Sequence, residues 1–415
     1  MVKHGVVLVV LVVAARAEAD IDNRGFLPFG ERAAMLGNAG TTSAYGEAVY
    51  YNPANLTRID HASLSVAAST YLKFDVDANP ALVLAGQDEP FSASGFVPIP
   101  AGVISTYKLG GFSAATAILV PEALDFKNRS TLTGGGITAT LLQQEQKESL
   151  WLGAGLAHPL ADNLSIGLSL FAIRTKEGAI NYTRLTDGVE TVEVISNEDT
   201  SVISASAVLG VYWEPAPELG LALRVQSPTV RLVGTTDLYN SSVDTGNATQ
   251  APSATEQTIE GAHAARPLPL DLTLGVSWRP SPKLELVADV GLQMPEKATE
   301  LEDPVAGTRV TDAKLAPRVG VGADITVGDK KWIRLGAMIN RSAVASPKTE
   351  ADPSRDDYYG LTGGFAFQKN RTLTSIGLFG LQSNTDTFVG GADPPRKADA
   401  RVRLYGAMLS FTYRL

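Results

Sequence analysis

The strongest constraint on this chain is the rhythm of its connections. After about residue 62, fourteen segments, most of them ten to thirteen residues long, alternate apolar and polar side chains with a period of two. They fall at 62–73, 97–108, 111–121, 148–158, 163–175, 202–213, 219–227, 268–279, 283–294, 314–327, 331–341, 358–368, 371–383 and 402–415. In the ninth, Leu284, Leu286, Ala288, Val290 and Leu292 share one face, opposite Glu285, Asp289 and Gln293. A helix would mix these classes, whereas an extended strand separates them. The joins alternate strictly. Six are short, such as Leu109-Gly110, "PSP" (Pro280–Pro282) and Lys369-Asn370. Seven are long and polar, at about 74–96, 122–147, 176–201, 228–267, 295–313, 342–357 and 384–401. Tight turns at one end and long loops at the other describe an outer-membrane barrel. A soluble sandwich has no reason to sort its loops by length. The expected fold is all-β: a 14-stranded antiparallel transmembrane β-barrel with both termini on the turn side.

The two strand faces fit a lipid-wrapped wall around a wet lumen. Trp213 and Trp278 close strands before short turns and Trp332 opens one just after a short turn, where an aromatic girdle is expected. Arg224, Asp271, Glu285, Asp289, Arg318, Asp324 and Arg334 fall on the opposite faces, which a lumen hydrates and lipid does not. They read either as a solvated network of ion pairs or as contacts to a ligand or to a plug. The chain ends with Tyr405, Leu409, Phe411, Tyr413 and Leu415 on one alternating face, resembling the terminal signal by which such barrels are recognised for assembly.

The front of the chain reads as export. Lys3 and His4 precede "GVVLVVLVVAA", and Ala17-Glu18-Ala19 offers a small-x-small cleavage site after Ala17 or Ala19. That describes a signal peptide over residues 1–19. Cysteine is absent, so burial and a closed hydrogen-bond network must stabilise the fold. A net charge of −9 argues against nucleic acid as a partner. The four histidines, at positions 4, 61, 158 and 263, lack metal-ligand spacing, and no nucleophile, zinc or phosphate-loop motif occurs. No cofactor and no catalysis are expected.

Between the signal and the first strand lies "GERAAMLGNAGTTSAYGEAVYYNPANL", Gly30 to Leu56, rich in Gly and Ala and nearly uncharged. With its Asn52-Pro53-Ala54, and with hairpins such as "GVYWEPAPELGLALRVQSP" downstream, the chain resembles the FadL/TodX family of outer-membrane transporters for hydrophobic compounds. The resemblance covers nearly the whole mature chain. It implies an N-terminal hatch over residues 20–61 inside a barrel over 62–415. It also implies passive import of a hydrophobic small molecule: binding in the lumen, rearrangement of the hatch, and lateral release at a kinked third strand.

On that reading Asn52, Pro53 and Ala54 form the hatch motif, unless they are simply a capped turn. Met35, Leu36, Tyr45, Val49, Tyr50 and Tyr51 are the candidates to line a ligand pocket, with packing of the hatch on the wall as the plain alternative. Pro121, which cannot donate to a ladder, is the candidate for the lateral opening, or else an ordinary strand end. The third and fourth outer loops hold few large apolar residues, Ile180, Tyr182, Leu185, Leu232, Val233, Leu238 and Tyr239 among them, a departure from the family's apolar capture groove. The cargo is therefore expected to be fatty-acid-like or hydrocarbon-like, without a choice between them. The expected surroundings are outer-membrane lipid and lipopolysaccharide, with the barrel a monomer. Two other readings are a partner or assembly platform with the same fold, and an outer-membrane lipid hydrolase.

Overall fold

A computed structural model describes Asn23, Gly25 and residues 27–415, apart from positions 85, 100, 101, 248–250, 306, 350, 351, 353, 391 and 393. The expected signal peptide and the first residues of the expected hatch lie outside the described residues. The strands run β1 (Ser63–Leu84), β2 (Gln87–Ile99), β3 (Gly102–Leu109), β4 (Phe112–Gly134), β5 (Ile137–Ala161), β6 (Leu164–Thr186) and β7 (Thr191–Ala216). There follow β8 (Leu219–Gln226), β9 (Val230–Asp244), β10 (Ser253–Ala264), β11 (Asp271–Ser281), β12 (Leu284–Gln293), β13 (Glu296–Asp303) and β14 (Gly307–Ala313). The last are β15 (Ala316–Gly328), β16 (Lys331–Asn340), β17 (Arg355–Lys369), β18 (Thr372–Phe388) and β19 (Lys397–Arg414).

Fourteen crossings make a closed antiparallel wall: β1, β2 with β3 as one strand, β4 to β8, β11, β12, and β15 to β19. The hairpins β9–β10 and β13–β14 are extra, standing on the long-loop side. Closure pairs β1 with β19, from Ser63 opposite Arg414 to Asn79 opposite Asp399. Each predicted segment overlaps one wall strand.

The long connections differ from expectation. Those at 74–96, 122–147 and 176–201 are continuations of wall strands, and 228–267 and 295–313 hold the two extra hairpins. With 26 residues, β7 is roughly 85 Å long at about 3.3 Å per residue, far more than one bilayer crossing needs. Past the lipid both strand faces are wet, so apolar alternation fades while the hydrogen-bond ladder continues. "NRSTLTG" (Asn128–Gly134) pairs residue by residue with Ile137–Gln143, though its side chains follow no apolar alternation.

Within the wall the two faces divide as the alternation requires. On β11, Leu274, Val276 and Trp278 are exposed outward, while Asp271, Thr273 and Ser277 are buried inward. Trp213 is also exposed outward. Trp332 is not part of an outer girdle: it shares the inward face of β16 with Arg334 and lines the turn-side mouth. Two-residue parity with Arg334 decides its side.

The wall has one fork. β3 pairs with β4 from Leu109 opposite Phe112 up to Gly102 opposite Leu119. Beyond that point β2 stays on β1, and among the described residues no paired register joins it to the outer half of β4. At the same level β4 bulges: its pairing with β5 runs to Leu119 opposite Trp151 and resumes at Glu122 opposite Ser149. Val120 and Pro121 are the bulge residues, and a proline, having no N–H to give the ladder, suits that place. Gly102 sits in the crotch with φ +142°, and a Cβ there would stand 2.3 Å from the Ile118 carbonyl oxygen, so only glycine fits.

Candidate functional site

Residues 27–59 fill the lumen as a plug. Three short helical pieces organise it: a 3-10 turn at Ala33–Met35, one α-turn at Ala48–Tyr51 and a 3-10 turn at Pro53–Arg58. The carboxylate of Glu47 ties the first two together. It accepts the backbone N–H groups of Glu31, Arg32 and Ala33 at 2.5, 3.0 and 2.9 Å, and the hydroxyl of Ser43 at 2.7 Å. Those N–H groups begin the first turn and have no partner within it, so an anion is the natural cap. Asn52 caps the last turn by accepting from the Ala54 N–H at 3.1 Å, with Pro53 in the first position.

The plug sits on wall glycines. A Cβ on Gly210 would lie 2.0 Å from Asn52 Oδ1, and one on Gly167 would lie 2.4 Å from the Pro53 carbonyl carbon. Asn52-Pro53-Ala54 is thus both a capped turn and the plug's seat on β6 and β7. Across the lumen, Gly320, Gly322 and Gly336 leave room for the backbone of Leu36 and Gly37, and Gly364 and Gly377 for the side chain of Met35. Asn52 Nδ2 also donates to the Val211 carbonyl on β7 at 3.0 Å.

Inward charges tether the plug. Arg32 reaches Asp324 (2.9 Å) on β15 and Glu285 (2.8 Å) on β12. Arg334 on β16 faces the same Asp324 at 3.3 Å, and donates to the Tyr45 hydroxyl (3.2 Å) and the Glu31 carbonyl (3.1 Å). Asp289 on β12 accepts both the N–H and the hydroxyl of Thr41, at 2.8 and 2.7 Å. The Glu31 carboxylate accepts from the Gly46 N–H and the Thr412 hydroxyl. Burial, with Glu47 close by, pushes its pKa up to about 7. Arg224 and Arg318 both bind Asp271, which is wholly buried.

Between plug and wall lies a cavity of about 60 Å³, walled by Phe29, Tyr50 and Tyr51 on one side and by Arg224, Asp271, Asp289 and Arg318 on another. Pro121 also lines it, so the cavity abuts the fork. Of the six pocket candidates, Tyr50 and Tyr51 line it. Met35, Leu36 and Val49 pack on the wall instead, and Tyr45 lies under the guanidiniums of Arg32 and Arg334. An apolar cavity of about 150 Å³ is known to accept benzene, so this one as it stands is too small for an aromatic ring. Gly25, Leu27 and Phe29 line it from the plug. From the turn side a wider mouth of about 470 Å³ leads to Arg32, Arg58 and Tyr45.

On the long-loop side, alternating charges run along the inner wall to the β13–β14 hairpin. Lys147 lies within 4.0 Å of both Glu122 and Glu177. Arg266 binds Glu177 and, at 3.5 Å, Glu198; Arg309 binds Glu198 at 2.5 Å and Glu300 at 3.8 Å. Outside this belt, His158 Nδ1 lies 3.0 Å from the Gly111 carbonyl oxygen, to which its N–H donates, and His263 opposes Glu302 in the β10–β13 pairing. Among the described residues no group of His, Cys, Asp and Glu is arranged to hold a metal ion.

Sequence reasoning missed Glu31, Arg32 and Glu47. Their signal was present: three charges in a segment otherwise almost without them, in a part of the chain expected to be enclosed.

No protein-family model matches this chain. No curated protein sequence matches it either. Solved structures do. The toluene transporter TodX of Pseudomonas putida superposes with a TM-score of 0.66 at 11% identity, over 93% of this chain and 98% of that one. The fold is that of the FadL-type barrels. A FadL homologue of Pseudomonas aeruginosa superposes with a TM-score of 0.62 at 14% identity, over 93% and 98% of the two chains. The toluene transporter TbuX of Ralstonia pickettii gives 0.59 at 15% identity, over 94% and 99%. At such identities the likeness is one of fold.

Proposed function

We propose that this chain is a FadL-like outer-membrane channel that admits small hydrophobic molecules by diffusion. The observation that carries the reading is the cavity at Tyr50 and Tyr51, which reaches Pro121 at the level where the β3–β4 ladder ends. Cargo enters from the long-loop side, binds between plug and wall as the plug shifts, and leaves sideways past Pro121 into the bilayer. A lateral exit suits such cargo: each CH₂ left in water costs about 0.8 kcal/mol relative to burial, so hydrocarbon on the far side of a short path is a sufficient sink.

In this reading residues 1–19 are the export signal, 20–61 the hatch and 62–415 the barrel, a monomer in contact with outer-membrane lipid and lipopolysaccharide. No cofactor or catalytic step takes part. The wall charges Arg224, Asp271, Glu285, Asp289, Arg318, Asp324 and Arg334 seat the plug rather than line an aqueous pore. Support comes from the fold shared with barrels described as toluene transporters.

The chain has no cysteine, which makes a cross-linking test clean. In the Ala93→Cys, Asn128→Cys double variant a short bifunctional maleimide would tie β2 to β4 across the fork. Uptake of a radiolabelled aromatic by proteoliposomes should fall to background in the tied protein and stay normal in each single variant. Full uptake by the tied channel would remove the lateral route.

A further inference from the structure

The cavity has two unlike sides. Phe29, Tyr50 and Tyr51 make an aromatic side, with Tyr50 set edge to face against both others at ring separations of 5.1 Å. Opposite lies a hydrogen-bonding side in which the donors are already committed. Arg224 gives Nη1 to Asp271 at 2.6 Å and Nη2 to Gln226 at 2.5 Å. Arg318 grips both oxygens of the same Asp271 and donates to Thr273 at 2.9 Å. A carboxylate entering here would have to displace Asp271, a carboxylate already desolvated and held by two guanidiniums.

The unmet demand is for a donor. Asp289 lines the cavity and is only 6% exposed. Its Oδ2 takes both bonds from Thr41 and the backbone N–H of Gly40 faces the same carboxylate, while its buried Oδ1 has no donor in hydrogen-bonding geometry. Oδ1 lies over Gly275, where a Cβ would come within 2.7 Å of it and 2.9 Å of Thr41 Cβ, so that wall position admits no side chain. A buried acceptor without a donor is costly, more so when charged. A site with such a group favours the ligand that satisfies it and rejects the analogue that does not.

We propose that the cargo of this chain is an aromatic-sized apolar molecule carrying one O–H or N–H donor, of the phenol or aromatic-amine kind, and that Asp289 selects it. This rests on the transport reading above and narrows it: neither a plain hydrocarbon nor a carboxylate meets what the cavity offers. The ring lies against Tyr50 and Tyr51, and the donor points to Asp289.

The test is equilibrium dialysis of the full chain in detergent against p-cresol, its methyl ether 4-methylanisole, toluene and p-toluate. These share one ring and differ in the polar group. p-Cresol should bind at least about tenfold more tightly than each of the others. In Asp289→Asn, whose amide offers a donor beside its acceptor, the preference for p-cresol over 4-methylanisole should fall below about threefold. Equal binding of p-cresol and toluene by the unaltered protein, tightest binding of p-toluate, or an undiminished preference in the variant would each overturn the assignment. The ligand series on the unaltered protein decides the matter even if the variant fails to fold. Should all the neutral rings bind alike and still be taken up, the donor rule falls and transport stands. Should none bind and none enter proteoliposomes, transport falls with it.

Discussion

The guanidinium of Arg334, on the wall, lies 3.1 Å from the carbonyl oxygen of Glu31, in the plug. A wall side chain therefore holds the plug by its main chain, while the same guanidinium is balanced by Asp324. Arg334→Met should unseat the plug without opening the wall. Removing one partner from a buried ionic cluster costs about 3–5 kcal/mol, and here the cost falls on plug docking. Liposome swelling with a small hydrophilic solute should rise well above that of the unaltered protein, while heat-modifiable migration on gels, a property of the closed barrel, persists. A swelling rate equal to that of the unaltered protein would count against the tether.

Glu31 gives plug seating a pH dependence of definite sign. Seated, its carboxyl has a pKa of about 7 in place of 4.5. Below pH 4.5 the seated and released forms both hold the proton, and seating is at full strength. As pH rises from 4.5 to 7 the released form loses the proton first, so seating weakens, by about 3 kcal/mol once both are ionised. Protease cleavage within the plug should become faster over that window. In Glu31→Gln the slope should shrink; an undiminished slope would assign the effect elsewhere.

Gly210 and Gly178 make a matched pair of sites on neighbouring strands. A Cβ on Gly210 collides with Asn52 Oδ1, whereas one on Gly178 meets only the Glu198 carbonyl oxygen at 3.9 Å. Gly210→Ala should weaken plug docking by about 1–3 kcal/mol, and Gly178→Ala should leave it unchanged. Hydrogen exchange at Ala48–Tyr51 reports on both. Equal protection in the two variants would show that Asn52-Pro53-Ala54 does not need its close approach to the wall.

The belt around Arg309 should respond to salt. Its side chain is more than one-third exposed, so each of its pairs contributes less than about 1 kcal/mol. Arg309→Gln should increase exchange in the β13–β14 hairpin at low ionic strength. At about 1 M salt, where the screening length is about 3 Å, the two proteins should converge. A difference that persisted at high salt would point to packing of the stem rather than charge.

The wall was legible because lipid on one face and lumen on the other impose a two-residue period, and Leu274, Val276 and Trp278 against Asp271, Thr273 and Ser277 show it plainly. The outer strands were not, since Asn128–Gly134 is wet on both sides and nothing in its apolar pattern marks a strand. Pro121 was visible as a break in a ladder, but the fork it belongs to also needs Gly102, whose role depends on a carbonyl across the chain. The segment packed inside the wall stood out in the sequence as a small-residue stretch before the first strand. Its internal order did not, because Glu47 acts on N–H groups some fifteen residues earlier, a relation with no local period. The six pocket candidates were chosen for size and aromaticity; which of them face space and which face glycine is settled only by the wall.

Those glycines make the plug and the wall a matched set. Leu36, Gly37, Asn52 and Pro53 approach β6, β7, β15 and β16 at distances that leave no room for a methyl group. A plug borrowed from another barrel would have to arrive with its own wall, and a bulkier plug would need new hollows on four strands at once. Changes of cargo should therefore arise where contact is loose, at the cavity and the outer hairpins, while the seat itself stays fixed.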